Sequence, residues 1–171
     1  MWWFDNRNSL NNVSIVKTLT WPDEAATQAF AEQLAATLSA DHLPHACIAL
    51  HGDLGAGKTT FVRHLLRALG VTGRIKSPTY AVVEPYEVTR LANPWPIWHF
   101  DFYRFSDPRE WEDAGFRDIF ASPGLKLCEW PEHASGVMPT PDLDLHLQVD
   151  TDTQRQVTLH ANTPQGAALL A

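Results

Sequence analysis

The stretch Gly52-Asp53-Leu54-Gly55-Ala56-Gly57-Lys58-Thr59, continued by Thr60, decides how this chain is read. It fits the pattern G-x-x-x-x-G-K-[ST]. Glycines let a backbone curl so that successive N–H groups point inward around phosphate oxygens. Lys58 supplies a mobile positive charge for the β- and γ-phosphates, and the Thr59 hydroxyl suits a magnesium ion. The flanks agree. Upstream, Ala46-Cys47-Ile48-Ala49-Leu50 is a continuous apolar run, the mark of a strand covered on both faces. Downstream, Phe61, Val62, Leu65, Leu66 and Leu69 form the apolar stripe of a helix expected from about Lys58 to Leu69, with Gly70 placed to end it. A strand, a glycine turn and a helix with its positive end facing the turn are what phosphate binding requires. Gly52 to Thr60 is therefore expected to hold ATP and magnesium (Mg2+); the bland alternative is an ordinary glycine loop.

Working outward, Ile15 to Leu19 is expected to be a short strand, and residues 1–14 a loose tail. Thr20 is placed to cap a first helix, with Pro22, Asp23 and Glu24 in its opening turn. That helix sets Ala26, Phe30, Leu34 and Leu38 on one face as far as Ser39, and Pro44 closes the connection that follows. Beyond the second helix, a strand is expected over Thr79 to Glu84 and a turn around Asn93-Pro94-Trp95-Pro96. An aromatic strand is expected over Ile97 to Tyr103, and a helix capped by Asp107 that ends by Gly115. Leu125 to Glu129 reads as a strand ended by Trp130-Pro131. Leu143, Leu145, Leu147 and Val149, then Val157, Leu159 and Ala161, alternate with polar residues and suggest an antiparallel hairpin.

This order predicts one α/β domain over residues 15–171, a three-layer P-loop NTPase fold. Its mixed sheet should be parallel at the centre, with antiparallel additions from the 80–104 region and the final hairpin, and flanked by helices. A length of 171 residues suits one domain with a single core. A net charge of −7 argues against a protein that coats nucleic acid unaided. Cys47 and Cys128 each sit in an apolar run and are expected to be buried small hydrophobes. The opening Met1-Trp2-Trp3-Phe4-Asp5 lacks the pattern of a secretory signal, and no apolar run is long enough to span a bilayer, so cytoplasmic residence without membrane contact is expected.

Nucleotide hydrolysis needs a second magnesium anchor and a group that positions the attacking water. Glu129, closing an apolar strand, has the position of such an anchor, though a surface glutamate at a strand end would look the same. Asp101 lies among the aromatics of His99-Phe100-Asp101-Phe102-Tyr103-Arg104, where a carboxylate must find partners. A catalytic or metal-linked role and a structural pairing with Arg104 or Tyr103 are both open. Ser77-Pro78-Thr79 is either a γ-phosphate-sensing loop or a plain turn.

Taken together, Gly52 to Thr60, Lys76-Ser77-Pro78-Thr79-Tyr80, Val83-Glu84-Pro85-Tyr86, His99 to Arg104 and Glu129-Trp130-Pro131 resemble the bacterial TsaE family in order and spacing, over about residues 15–160. The resemblance implies an ATPase needed to make threonylcarbamoyladenosine in tRNA. It would bind the TsaD and TsaB proteins and hydrolyse ATP to reset that pair for multiple turnover, meeting tRNA only indirectly. It implies phosphate binding by Lys58 and the backbone of Gly52, Asp53, Leu54, Gly55, Ala56, Gly57, Thr59 and Thr60. It further implies Thr59 and Glu129 at magnesium, Asp101 in hydrolysis, Thr79 in a switch-like loop and Trp130 close to the nucleotide. Glu24 would be a contact on the base side, and Arg155, on the final hairpin, a further nucleotide contact. Two rivals remain: a small-molecule P-loop kinase, for which the arginines after the second helix form no obvious lid, and an adaptor that docks when ATP is bound.

Overall fold

The computed structural model describes residues 14–40, 45–90 and 93–171, without the side chains of Ala40 and Arg90. Residues 1–13 of the expected 1–14 tail, and the connection at Pro44, lie outside these residues.

The strands are β1 (Ile15–Trp21), β2 (His45–His51), β3 (Val83–Arg90), β4 (Asn93–Asp101), β5 (Gly124–Glu129), β6 (Leu143–Val149) and β7 (Arg155–Ala161). They form one sheet in the order β1-β7-β6-β2-β5-β4-β3. At its centre β2 runs parallel to both β5 and β6, and β4 runs parallel to β5. The outer pairs β1/β7, β6/β7 and β3/β4 are antiparallel. The expected mixed α/β sheet is thus observed.

Alternation along the strands sorts side chains into two layers of core. On one face Ile48, Leu50, Leu125, Leu127 and Ile97 pack with Leu34 and Leu38 of α1 (Glu24–Ala40) and Phe61, Leu65 and Leu66 of α2 (Lys58–Leu69). On the other, Phe100 and Cys128 pack with Trp111 of α3 (Arg109–Asp113) and Phe116 of α4 (Phe116–Ala121). α5 (Pro164–Leu169) adds Leu169 to the first cluster, and the Thr163 side chain caps it by accepting from the Gly166 N–H (3.0 Å). Cys128 is fully buried and burial pushes its thiol well above the ordinary range; neither cysteine is bridged.

Several boundaries differ from expectation. Thr20 does not cap α1: it belongs to β1 and donates to Gln156 Oε1 (3.0 Å), while Asp23 Oδ1 accepts the Ala26 N–H (2.9 Å). Residues 79–82 form a turn, not a strand, closed by Val82 N–H to Pro78 O (2.7 Å), so β3 starts at Val83. Asn93 to Pro96 is strand, not turn. Pro94 and Pro96 oppose Thr89 and Glu87, and Pro85 opposes Trp98, so all the prolines fall on one alternate set of pairs. The other set is free to carry the ladder, and both Pro94 and Pro96 lie before β4 meets β5 at Ile97. β4 stops at Asp101 rather than Tyr103. Asp107 accepts the Arg109 N–H (2.9 Å) at the head of α3, but after Gly115, at φ 71°, a further helix, α4, follows.

Candidate nucleotide and magnesium site

The parallel strands β2, β5 and β4 end side by side, pairing Leu50 with Glu129 and Asp101 with Glu129. Topology alone therefore gathers the loop after β2 and both acids along one edge, the usual place for ligands in such sheets. Gly52 leaves β2 at φ 147°, where a Cβ would come within 2.6 Å of Leu147 O, so only glycine fits. Gly57, at φ 104°, turns the chain into α2 with its free N–H groups facing the loop.

Lys58 is only 5% exposed. Its Nζ donates to the carbonyls of Gly52 and Asp53 and stands 4.3 Å from the centre of the Trp130 ring. Burial lowers its pKa, while Glu129, Glu132, Asp101 and Asp53 pull it upward. Trp130 reaches that position from a left-handed backbone, φ 54°, which is uncommon outside glycine. Its ring also packs on Tyr103, centroids 5.0 Å apart.

Thr59 Oγ1 donates to Glu129 Oε1 (2.7 Å), and the other Glu129 oxygen meets His99 Nε2 at 2.6 Å. Glu129 and His99 are both buried. Asp101 is buried too, and its Oδ1 accepts the Tyr103 N–H (2.9 Å). Burial raises its pKa against the lowering effect of that hydrogen bond. Arg104 is no partner to Asp101: its guanidinium lies over the Tyr80 ring at 4.4 Å. Ser77 and Thr79 share a hydroxyl–hydroxyl hydrogen bond of 2.9 Å.

A cavity of about 340 Å³ opens on Leu54, Gly55, Gly57 to Thr60, Thr79, Asp101, Glu129 and Trp130. A neighbouring cavity of about 250 Å³ is lined by Trp21, Glu24, Thr27 and Thr60. Gly57 and Arg155 line both. Arg155 Nε donates to Ala56 O (2.9 Å), and its Nη1 donates to the carbonyls of Thr151 (3.0 Å), Asp152 (3.3 Å) and Gln154 (3.1 Å). The Glu24 carboxylate rests on His64 Nε2 (2.9 Å) at the second cavity's rim.

The residues assigned to phosphate, magnesium, hydrolysis and nucleoside thus border one of two adjoining cavities, apart from Gly52 and Asp53, whose carbonyls accept from Lys58; of the Ser77-Pro78-Thr79 loop only Thr79 does so. Sequence reading gave His99 no role of its own. The signal was its spacing: two residues before Asp101 on a strand, it shares that residue's face.

A profile of the family described as threonylcarbamoyl adenosine biosynthesis protein TsaE matches residues 21–157. The chain is 38% identical to the Haemophilus influenzae tRNA threonylcarbamoyladenosine biosynthesis protein TsaE, over 88% of this chain and 92% of that one. It is 34% identical to the Bacillus subtilis protein of the same name, over 85% and 87%. Among solved structures, Bacillus subtilis YdiB superposes with a TM-score of 0.70 at 26% identity, over 91% of this chain and 93% of that one. A match spanning the loop and both acids places this chain in the TsaE family of threonylcarbamoyladenosine biosynthesis proteins.

Proposed function

We propose that the protein is a magnesium-dependent ATPase that acts with the TsaD and TsaB proteins in tRNA threonylcarbamoyladenosine formation, its hydrolysis resetting that pair for repeated turnover. The observation that carries the ATPase reading is the contact of Thr59 with Glu129 beside Lys58, with Asp101 on the same cavity wall.

A hydroxyl and a carboxylate make an all-oxygen donor set, which suits a hard cation such as magnesium. When bound, the ion would neutralise charge on the phosphates. Thr59 and Glu129 would hold it, and His99, hydrogen-bonded to the far Glu129 oxygen, keeps that carboxylate oriented. The Lys58 amine exchanges the carbonyls of Gly52 and Asp53 for phosphate oxygens. Trp130 covers that amine and keeps water from it. Asp101, with one oxygen fixed by the Tyr103 N–H, offers the other to orient the attacking water. Glu24, Trp21 and Thr27 line the space for the nucleoside. The partners and the reset step rest on family membership, and tRNA is met only through the complex. For the kinase alternative a lid arginine would be needed; Arg155, which lines both cavities, is instead tied to backbone carbonyls.

The test is ATP hydrolysis by the purified protein alone and with the TsaD–TsaB pair from the same organism. Feeble hydrolysis that rises with the pair is expected. No change with the pair, together with ATP consumption on adding a metabolite, would overturn this reading in favour of a kinase.

A further inference from the structure

The sheet face turned away from α2 carries a second cluster of ligating side chains. His51 is the last residue of β2 and is directly paired with His146 on β6. Asp144 precedes His146 by two positions, so all three side chains leave the same face. Their ligating atoms lie within 4.8 Å of one another. We infer that His51, His146 and Asp144 form a site for a borderline divalent transition metal, of which zinc is the type, separate from the nucleotide site.

The chemistry of the donors selects the ion. Two imidazoles and one carboxylate match zinc and its neighbours, whereas magnesium prefers oxygen alone. The site is also supported from outside. Asp144 points Oδ1 at His51 Nε2 (2.7 Å), while its Oδ2 accepts the Asn162 amide (2.6 Å). An amide holding the second oxygen of a ligating carboxylate is a common outer-shell device. Glu132, from the turn that follows β5, brings an oxygen to 3.7 Å from His51 Nδ1, the ring nitrogen turned away from Asp144, and so stands as an outer-shell partner of that imidazole.

The protonation states agree with this geometry. Burial and the neighbouring His51 lower the His146 pKa, which keeps its ring neutral and a lone pair free near pH 7. Burial raises the Asp144 pKa, but hydrogen bonds from His51 and Asn162 outweigh it and leave the carboxylate ionised. The two rings lie stacked, centroids 4.1 Å apart and 13° from parallel. Capture therefore needs the exposed His146 ring to turn about its Cβ–Cγ bond and share the ion with His51 in place of the stack. The bound ion would fasten the end of β2 to the middle of β6, one residue before Gly52.

The test is calorimetric titration of the untagged full chain with zinc chloride in excess magnesium. One zinc per chain is expected. His146→Ala, at an exposed position that does not threaten folding, and Asp144→Asn should each weaken binding by about tenfold or more, since outer-shell changes alone reach that scale. Glu129→Gln should leave zinc affinity unchanged. Absence of saturable binding, equal affinity in His146→Ala, or loss of zinc in Glu129→Gln would overturn the assignment.

Discussion

Thr59 and Glu129, separated by 70 positions in sequence, meet through a hydrogen bond of 2.7 Å. The bond joins the first turn of α2 to the last residue of β5. Replacing Glu129 by Gln keeps an oxygen for Thr59 but removes the charge that a cation needs. Nucleotide titrations of Glu129→Gln with and without magnesium should therefore give nearly equal affinities. A magnesium enhancement as large as that of the wild type would exclude Glu129 as an anchor.

Lys58 makes two hydrogen bonds to loop carbonyls and covers Trp130. Lys58→Ala removes a charged donor worth about 1.5–3 kcal/mol toward phosphate. ATP affinity measured by calorimetry should fall about tenfold or more, and unchanged affinity would rule out phosphate binding by this amine.

Asp101 faces the cavity without touching the loop lysine, so its contribution should appear in rate rather than in affinity. For Asp101→Asn, turnover in the presence of the TsaD–TsaB pair should fall by about 10²–10⁴-fold, the usual weight of a positioned acid–base group. ATP affinity should change only a few-fold. If turnover survives while the complex still forms, the adaptor reading gains.

Much of this site was legible because its signals are local. The glycines and Lys58 declare themselves by spacing within one turn, and the apolar runs on either side declare their elements. The rest depends on register. Nothing near His99 in sequence shows that it meets Glu129, because that contact crosses two parallel strands. The same holds for His51 and His146, which meet only once β2 and β6 are aligned. Pro94 and Pro96 misled for a different reason. Prolines punctuate a chain when ladder N–H groups are needed, and here they occupy pairs that need none. The second helix after Gly115 was hidden by a short link in which one left-handed glycine both ends α3 and starts α4.

Gly124 opens β5 at φ 123°, and a Cβ there would meet Pro96 O at 2.5 Å and the Trp98 ring at 2.8 Å. Gly124→Ala combines a forbidden backbone with a clash against main chain. It should lower stability by more than about 1 kcal/mol. The denaturant midpoint should drop while the slope of the transition stays constant.

Lys126 is buried with its amine on the Ser122 carbonyl and 5.3 Å from the centre of the Trp98 ring. Burial lowers its pKa from the ordinary value of 10.5, with Cys47, Cys128 and Asp142 opposing. Below the folded-state value the amine is charged in both states, and burying that charge reduces stability. As pH rises from there toward 10.5 the folded state gives up its proton first, the unfolded chain holds more protons, and stability rises. The stability of wild type relative to Lys126→Met should therefore be lowest at neutral pH and improve toward about pH 10. Denaturation at both pH values checks this, and a flat difference would refute it.

Arg155 gives the molecule a mechanical property. One guanidinium closes the turn at Thr151, Asp152 and Gln154 and also grips Ala56. The tip of the β6/β7 hairpin and the backbone of the glycine loop are therefore held by one side chain, at the first residue of β7, so that displacing either one strains the hydrogen bonds made to the other.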